Sequence, residues 1–254
     1  MSINQGAPMG LKKTSKGTTL IATMIGLSLG IVCIMAMLSL MQTVAKVNVG
    51  AGGAARSDGA IAAGMMGAQF EVQKAGYGVE SPASSCYGAA VNGPSASANT
   101  DVMVVSGASL STTGVLTGTA LVIGAAGAAA VAGNAMVWRW MESGVSTCEG
   151  LITSGGGLVL MGPNPCVDAT AWAATTWTSN LLAAPGSIVS FPTDPTDAAN
   201  PFTQAKMFKA QKVAACSPYG ASTPSTGVLV RFGAGNTFTG PGTISTACLA
   251  NVCQ

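Results

Sequence analysis

The chain has 254 residues, 48% hydrophobic and only 8% charged, against about 25% charged in an average soluble domain. Its net charge of +2 is too small for a strong electrostatic grip on nucleic acid, which argues against nucleic acid as a partner. Histidine is absent, which removes the commonest general base and the commonest metal ligand together. The low-charge composition, with 34 glycines, suits an exported or assembled protein better than a cytosolic enzyme.

Residues 1–17 carry Lys12, Lys13 and Lys16 and end in Gly17. From Thr18 to Ala45 there is no Asp, Glu, Lys or Arg. The centre of that run, Leu20 to Met41, is long enough to cross a bilayer's hydrocarbon as a helix rising about 1.5 Å per residue. The lysines lie on its N-terminal side with only Lys46 beyond, which keeps the short N-terminus cytoplasmic and exports the remainder. A cleaved secretory signal has roughly 7–15 apolar residues, and this run exceeds that. A signal anchor that merely tethers a soluble domain is the simplest alternative. Within the run, Gly26-x-x-x-Gly30 permits close approach of another helix, although the spacing arises readily in glycine-rich chains.

Gly50, Gly52 and Gly53 each weaken a helix by up to about 1 kcal/mol relative to Ala, which predicts a bend or an unwound patch. Helical spacing returns from Ala54 to Lys74, with Ile61, Met65, Ala68 and Val72 on one apolar stripe. Ala60, Ala63, Gly64 and Gly67 form a small-residue stripe beside it, while Arg56, Asp58, Glu71 and Lys74 mark more exposed positions. The helix is expected to stop at Gly76, with Gly78 and Pro82 completing the break. Four segments result: 1–17, a leader; 18–49, a transmembrane and assembly helix; 50–80, an amphipathic second half; and 81–254, a β-rich globular domain. The fold class is α+β, a long N-terminal helix packed on an antiparallel β-sheet domain.

Ser81 to Thr100 is rich in Ser, Ala, Pro and Asn and reads as a loop pinned by Cys86. Strands are expected at Val102–Val105, Gly118–Ile123, Met136–Met141, Leu158–Met161, Ser187–Phe191 and Val228–Phe232. Alternation places Met136, Trp138 and Trp140 on one face of their strand and Val137 and Arg139 on the other. The Ala/Gly tract from Gly124 to Gly133 reads as a loose hairpin or an extra short helix, and Trp172 to Leu182 as a short helix or a surface loop. Asp194-Pro-Thr-Asp197 is the single acidic pair with metal-like spacing. Calcium wants roughly six to eight oxygens, so an Asx-type turn is the better reading and no metal site is assigned. Lys206, Lys209 and Lys212 recur every three residues, the pattern of a solvated helix face or a basic strip.

Of seven cysteines, Cys33 falls in the apolar helix, as a packing residue. The other six, Cys86, Cys148, Cys166, Cys216, Cys248 and Cys253, lie on the exported side and read as disulfides of an oxidising compartment. Nearness in sequence favours Cys148 with Cys166 and Cys248 with Cys253, leaving Cys86 with Cys216. No nucleophile elbow, phosphate loop or dinucleotide fingerprint is present, so neither an enzyme nor a cofactor is expected. The one route to an enzyme is a carboxylate pair assembled in space from Glu142, Glu149 and Asp168, which would make the chain a membrane-anchored periplasmic hydrolase.

Lys16-Gly17-Thr18-Thr19-Leu20-Ile21, with the apolar run behind it, resembles the N-terminus of type IV prepilins. Gln69-Phe-Glu-Val-Gln-Lys-Ala-Gly-Tyr-Gly78 is similar to the end of the long helix in PilW-like minor pilins, and Trp138-Arg-Trp-Met-Glu-Ser-Gly-Val-Ser-Thr-Cys-Glu-Gly150 to a strand-and-turn stretch of the same group. The resemblance implies a pilin-like fold and cleavage between Gly17 and Thr18 by a prepilin peptidase, followed by N-methylation of Thr18. It implies as partners the other major and minor pilins and an inner-membrane assembly platform, with the lipid bilayer holding the subunit first. The protein would be single-pass in the inner membrane with a periplasmic domain, and then enter a pilus. Cleavage removes three of the 11 basic residues and leaves eight against nine acidic ones, a net charge of −1.

Two positions depart from the family pattern: Thr18 where Phe is usual, and Ala22 where Glu is usual. In the family that carboxylate pairs with a neighbouring subunit's terminal amine inside the filament, offsetting the cost of burying a charge. A subunit at the extreme tip has no neighbour ahead and needs no such acid. The departure therefore favours a tip position that primes or caps assembly, though it also fits a diverged, poorly assembling member. The alternatives are a type II secretion or DNA-uptake pseudopilin and, in another class, a membrane-anchored binding or adhesin domain.

Overall fold

The structure, a computed structural model, describes residues 20–79, 101–218, 225–235 and 242–252. The fold is α+β, with one long N-terminal helix and two antiparallel sheets. Helix α1 (Leu20–Val72) has 53 residues. It stays helical through Gly50, Gly52 and Gly53, so the unwound patch expected there as one alternative is absent. Extending a helix already nucleated on both sides fixes one residue per bond gained, and three glycines do not outweigh that. The chain divides at this point into two compact units, residues 1–52 and 53–254. In the first, the described residues form helix alone and all are exposed.

In the second unit, the remainder of α1 lies, among the described residues, with ten strands: β1 (Val102–Leu110), β2 (Leu116–Leu121), β3 (Val131–Gly133), β4 (Ala135–Glu142), β5 (Val145–Ser154), β6 (Gly157–Pro165), β7 (Ser179–Ala183), β8 (Phe208–Cys216), β9 (Ser225–Ala234) and β10 (Thr243–Leu249). They form a six-stranded sheet ordered β2-β1-β4-β5-β6-β7 and a four-stranded sheet ordered β10-β9-β8-β3. The expected stripe of α1, Ile61, Met65, Ala68 and Val72, is buried in a core lined by both sheets. The first sheet contributes Val104, Met136, Trp138 and Leu151, and the second Phe208, Val230, Phe232 and Leu249. At Gly64 a Cβ would stand 2.6 Å from the Leu182 carbonyl oxygen, so the absent side chain lets α1 lie against the β7 backbone.

The opposite face of the first sheet carries a second core, with Met103, Val105, Val137, Cys148 and Ile152. It is covered by residues 169–177, where Asp168 caps a 3-10 turn (Ala169–Ala173) by accepting from the Thr170 N–H at 2.8 Å. Trp172 and Trp177 are both buried there, and the Trp177 indole N–H donates to the Trp172 carbonyl at 2.9 Å. The segment from Trp172 is thus the end of this turn followed by β7. The Ala/Gly tract from Gly124 is neither a hairpin nor a helix. It makes one turn, with the Ala128 N–H bonded to the Ala125 carbonyl at 3.0 Å, and then enters β3.

From β3 in one sheet the chain passes directly to β4 in the other, through Asn134. The Asn134 amide accepts from the Ala108 N–H at 2.7 Å and donates to the Ala108 carbonyl at 2.8 Å. It substitutes for a ladder rung where the β1–β2 register shifts between Ser106 and Ser109. Ser187–Phe191 forms no strand; Ser190 makes an isolated bridge to Gly235.

The regular helix ends at Val72, four residues before Gly76, and continues as tighter turns. Lys74 N–H bonds to the Glu71 carbonyl at 3.1 Å and Ala75 N–H to the Val72 carbonyl at 3.1 Å. Gly76, at φ +75°, then reverses the chain so that its N–H donates to the Arg139 carbonyl at 2.8 Å, while the Met141 N–H donates to the Tyr77 carbonyl at 2.7 Å. A Cβ on Gly76 would stand 2.7 Å from the Asn251 carbonyl, so both sterics and φ demand glycine. Gly76→Val is expected to lower stability by about 2–4 kcal/mol, read as a loss of unfolding free energy for the full chain in detergent. An unchanged transition midpoint would show that the turn is not under this constraint.

Candidate functional site

Among the described residues, α1 is the one helix long and apolar enough to cross a membrane by length and composition. Ala22, Gly26 and Gly30 all lie on it and are exposed. A Cβ on Gly26 or Gly30 would meet nothing within 4 Å, so neither glycine is needed for packing within this chain. Cys33 is a free thiol on the same segment. Gly17, Thr18, Cys86 and Cys253 lie outside the described residues, as does the expected loop from Ser81.

The face of α1 turned away from the core in the second unit is also apolar. Met66 is 61% exposed and Phe70 62%, beside exposed Gly59, Ala62 and Ala63. An amphipathic helix resting on a sheet ordinarily presents charges on that side. Here the charged residues of this half, Arg56, Asp58, Glu71 and Lys74, leave a run from Gly59 to Phe70 with none.

Among the described residues, two disulfides are formed. Cys148 joins Cys166 across a Cα separation of 5.6 Å, as nearness suggested. Cys216 joins Cys248 at 5.7 Å, which replaces both other expected pairings, Cys248 with Cys253 and Cys86 with Cys216. The reason lies in strand order. β8 and β10 both pair with β9, and past the β8–β9 register shift between Val213 and Cys216 the end of β8 departs from the regular ladder and reaches Cys248 of β10, so residues 32 apart in sequence meet.

The acidic pair of Asp194 and Asp197 is organised by cations of the chain itself. Asp194 Oδ1 accepts from the Thr196 N–H at 3.0 Å and the Thr196 hydroxyl at 2.7 Å, the expected Asx-type turn. It also accepts from Arg231 Nη1 at 2.8 Å, and Oδ2 accepts from Lys209 Nζ at 3.0 Å. Lys209 Nζ donates further to Asp197 Oδ2 at 3.2 Å and to the Asn200 carbonyl, and stands 4.7 Å from the Phe202 ring centre. Its side chain is fully buried. The ammonium thus occupies the place between the two carboxylates that a metal would take. No group of three potential ligands among His, Cys, Asp and Glu is present among the described residues. The basic strip is dispersed as well: Lys206 is exposed, whereas Lys209 and Lys212 are buried on β8.

The three carboxylates considered for hydrolysis do not converge. Glu149 on β5 pairs in register with Trp138 and faces the α1 side, while Asp168 caps its 3-10 turn and contacts Cys148 on the other face. Glu142 lies four residues along β4 from Trp138, about 13 Å away along the strand. Burial pushes Glu149 up to about 7, with Lys74 opposing and Glu71 adding to the shift. Comparison with protein-family models, curated proteins and solved structures finds no match to this chain.

Burial alone would raise the Asp194 carboxyl, but hydrogen bonds from Thr196 and Lys209 and the charge of Arg231 outweigh it and hold it at about 2, against an ordinary 3.8. A depressed native value means that this carboxylate stabilises the fold above its ordinary value and that the contribution is lost as pH falls toward about 2. Asp194→Asn should remove that part of the acid-unfolding slope. Lys209→Met leaves Asp197 without its cation and Asp194 with Arg231 alone, and is expected to cost about 3–5 kcal/mol in chemical denaturation. A loss below about 1 kcal/mol would mean that the cluster contributes little.

Proposed function

We propose that this protein is a minor pilin of the PilW-like group that primes or caps assembly of a type IV pilus, a structural subunit and not an enzyme. The observation that carries this reading is the apolar exposure of α1. A simple anchor needs about 20 apolar residues and no more. This helix has 53 residues, is exposed throughout 20–52, and still presents Met66 and Phe70 with glycine and alanine around them in the half that packs on the sheets. Small residues allow close helix approach, and exposed large apolar ones gain by being covered.

In this reading the precursor is held in the inner membrane by residues 20–41 with its N-terminus in the cytoplasm and the β-rich unit in the periplasm. The prepilin peptidase cuts after Gly17, and Thr18 becomes the methylated first residue. The assembly platform then passes the helix from lipid to a bundle of other pilin helices, so that tail contacts are exchanged for side-chain packing. The tip position follows from Ala22, which leaves no carboxylate to neutralise the amine of a subunit ahead.

Mass analysis of the N-terminus from the native membrane tests the first step: wild type should begin at a methylated Thr18, and Gly17→Trp should keep its leader. A mature mass indifferent to Gly17 would end the proposal. Phe70→Glu tests the second, since it places a charge on the face to be covered while touching no core residue. It should leave the β-rich unit folded but reduce recovery of the protein in sheared surface fibres by at least about tenfold. Recovery of wild-type protein solely as a lone membrane-bound molecule would instead favour the anchor reading.

A further inference from the structure

Under the last turn of α1 lies a group of polar atoms that neither the filament reading nor the fold itself uses. The side chain of Glu149 is 4% exposed, yet its Oε2 has no hydrogen-bond donor. Among the described residues, the charged groups facing it come from the end of α1 and the turn that follows: Lys74 Nζ at 3.9 Å, and Glu71, to which that ammonium is hydrogen-bonded. β4 presents the indoles of Trp138 and Trp140, and the Lys74 ammonium stands 5.7 Å from the Trp140 ring centre. Both indole N–H groups are buried without a well-formed hydrogen bond, although that of Trp138 is near enough to favour the charged carboxylate somewhat. Arg139 lies on the opposite face, paired with Asp101 at 2.6 Å. Neither β6 nor the segment from β10 to Val252 carries a charged residue.

Two carboxylates therefore share one ammonium, and of the three groups only Glu149 is buried, the side chains of Lys74 and Glu71 being 44% and 25% exposed. Fully ionised, the trio carries a net charge of −1, and a single proton brings it to zero. An ionised Glu149 with an open oxygen must find a donor, either by drawing Lys74 off Glu71 or by admitting water. Either movement disturbs the turn that the Gly76 to Arg139 and Met141 to Tyr77 bonds hold against β4.

We propose that Glu149 is a proton-operated latch at the joint between α1 and the β-sheets: proton-bound, it lets the end of α1 close over Trp138 and Trp140, and deprotonated, it loosens that turn. The sign follows from burial, the largest cause of the raised native value. A carboxyl that holds its proton more tightly when folded contributes stability that is complete below its ordinary 4.5 and is lost as pH rises through about 7. Since the β-rich unit carries disulfides, the signs of an oxidising compartment, the latch would sense pH outside the cytoplasm. It does not depend on the pilin reading.

Amide hydrogen exchange over residues 70–78, on the full chain in detergent and corrected for intrinsic exchange, tests it between pH 5 and 8.5. Wild-type protection is expected to fall by about tenfold or more across neutral pH. Glu149→Gln should be flat, with the protection seen at low pH. Glu71→Gln alters a partly exposed residue, and by removing the neighbouring negative charge it should move the wild-type midpoint to lower pH. This second variant keeps the test open if Glu149→Gln does not fold. Wild-type protection that does not vary with pH would overturn the proposal, as would a pH response that survives in Glu149→Gln or a midpoint unmoved in Glu71→Gln.

Discussion

The second unit is built around the burial of one stripe of α1. Ile61, Met65, Ala68 and Val72 fill a core that two sheets line together, and burying each large side chain there contributes about 1.5–3 kcal/mol. The helix is thereby the common partner of the first and second sheets, and the chain's passages between sheets serve that arrangement. The clearest passage is at Asn134, whose amide stands in for a backbone rung so that β3 and β4, nearly continuous in sequence, can belong to different sheets. The close approach at Gly64 and the reversal at Gly76 are glycine solutions to the same demand, that helix and strands meet backbone to backbone.

Charge in this domain is used sparingly and mostly below the surface. Asp194, Asp197, Lys209 and Arg231 form a closed set in which each carboxylate has a cation, and the hydrogen-bonding capacity of the ammonium is spent on two aspartates and a carbonyl. Such a set seldom adds net stability over an apolar replacement, but it tolerates the loss of no single member. It ties the irregular stretch from Asp194 to Asn200 to β8 and β9. The group at Glu149 is the contrasting case: its carboxylate has one cation at a distance and a competing acid nearby, so its ionisation is not settled by a partner.

The exposed side of α1 gives the molecule its unfinished character. A chain with 8% charged residues has few with which to solvate a long helix, and it has placed almost none along the first half of this one. Lipid can cover the first half, whereas Met66 and Phe70 belong to the half that packs on the sheets. The pilin reading gives both halves a cover of the same chemistry, that of other apolar helices.

Local periodicity was enough to locate the buried stripe of α1 and strands with an alternating pattern, such as β9, and nearness in sequence was enough for the disulfide between Cys148 and Cys166. It failed at β5, where residues 148–153 are all buried and no alternation shows, and at β8, where buried Lys209 and Lys212 imitate a solvated helix. Residue order along the chain determined which segments are apolar, which turn, and which way a helix faces, because these depend on neighbours a few positions away. Strand order, set only when the sheets assemble, decided that Cys216 meets Cys248, that an ammonium lies between Asp194 and Asp197, and that Glu149 lies beneath Lys74. Those contacts join residues far apart in the chain, and no spacing in the sequence records the distance between them in space.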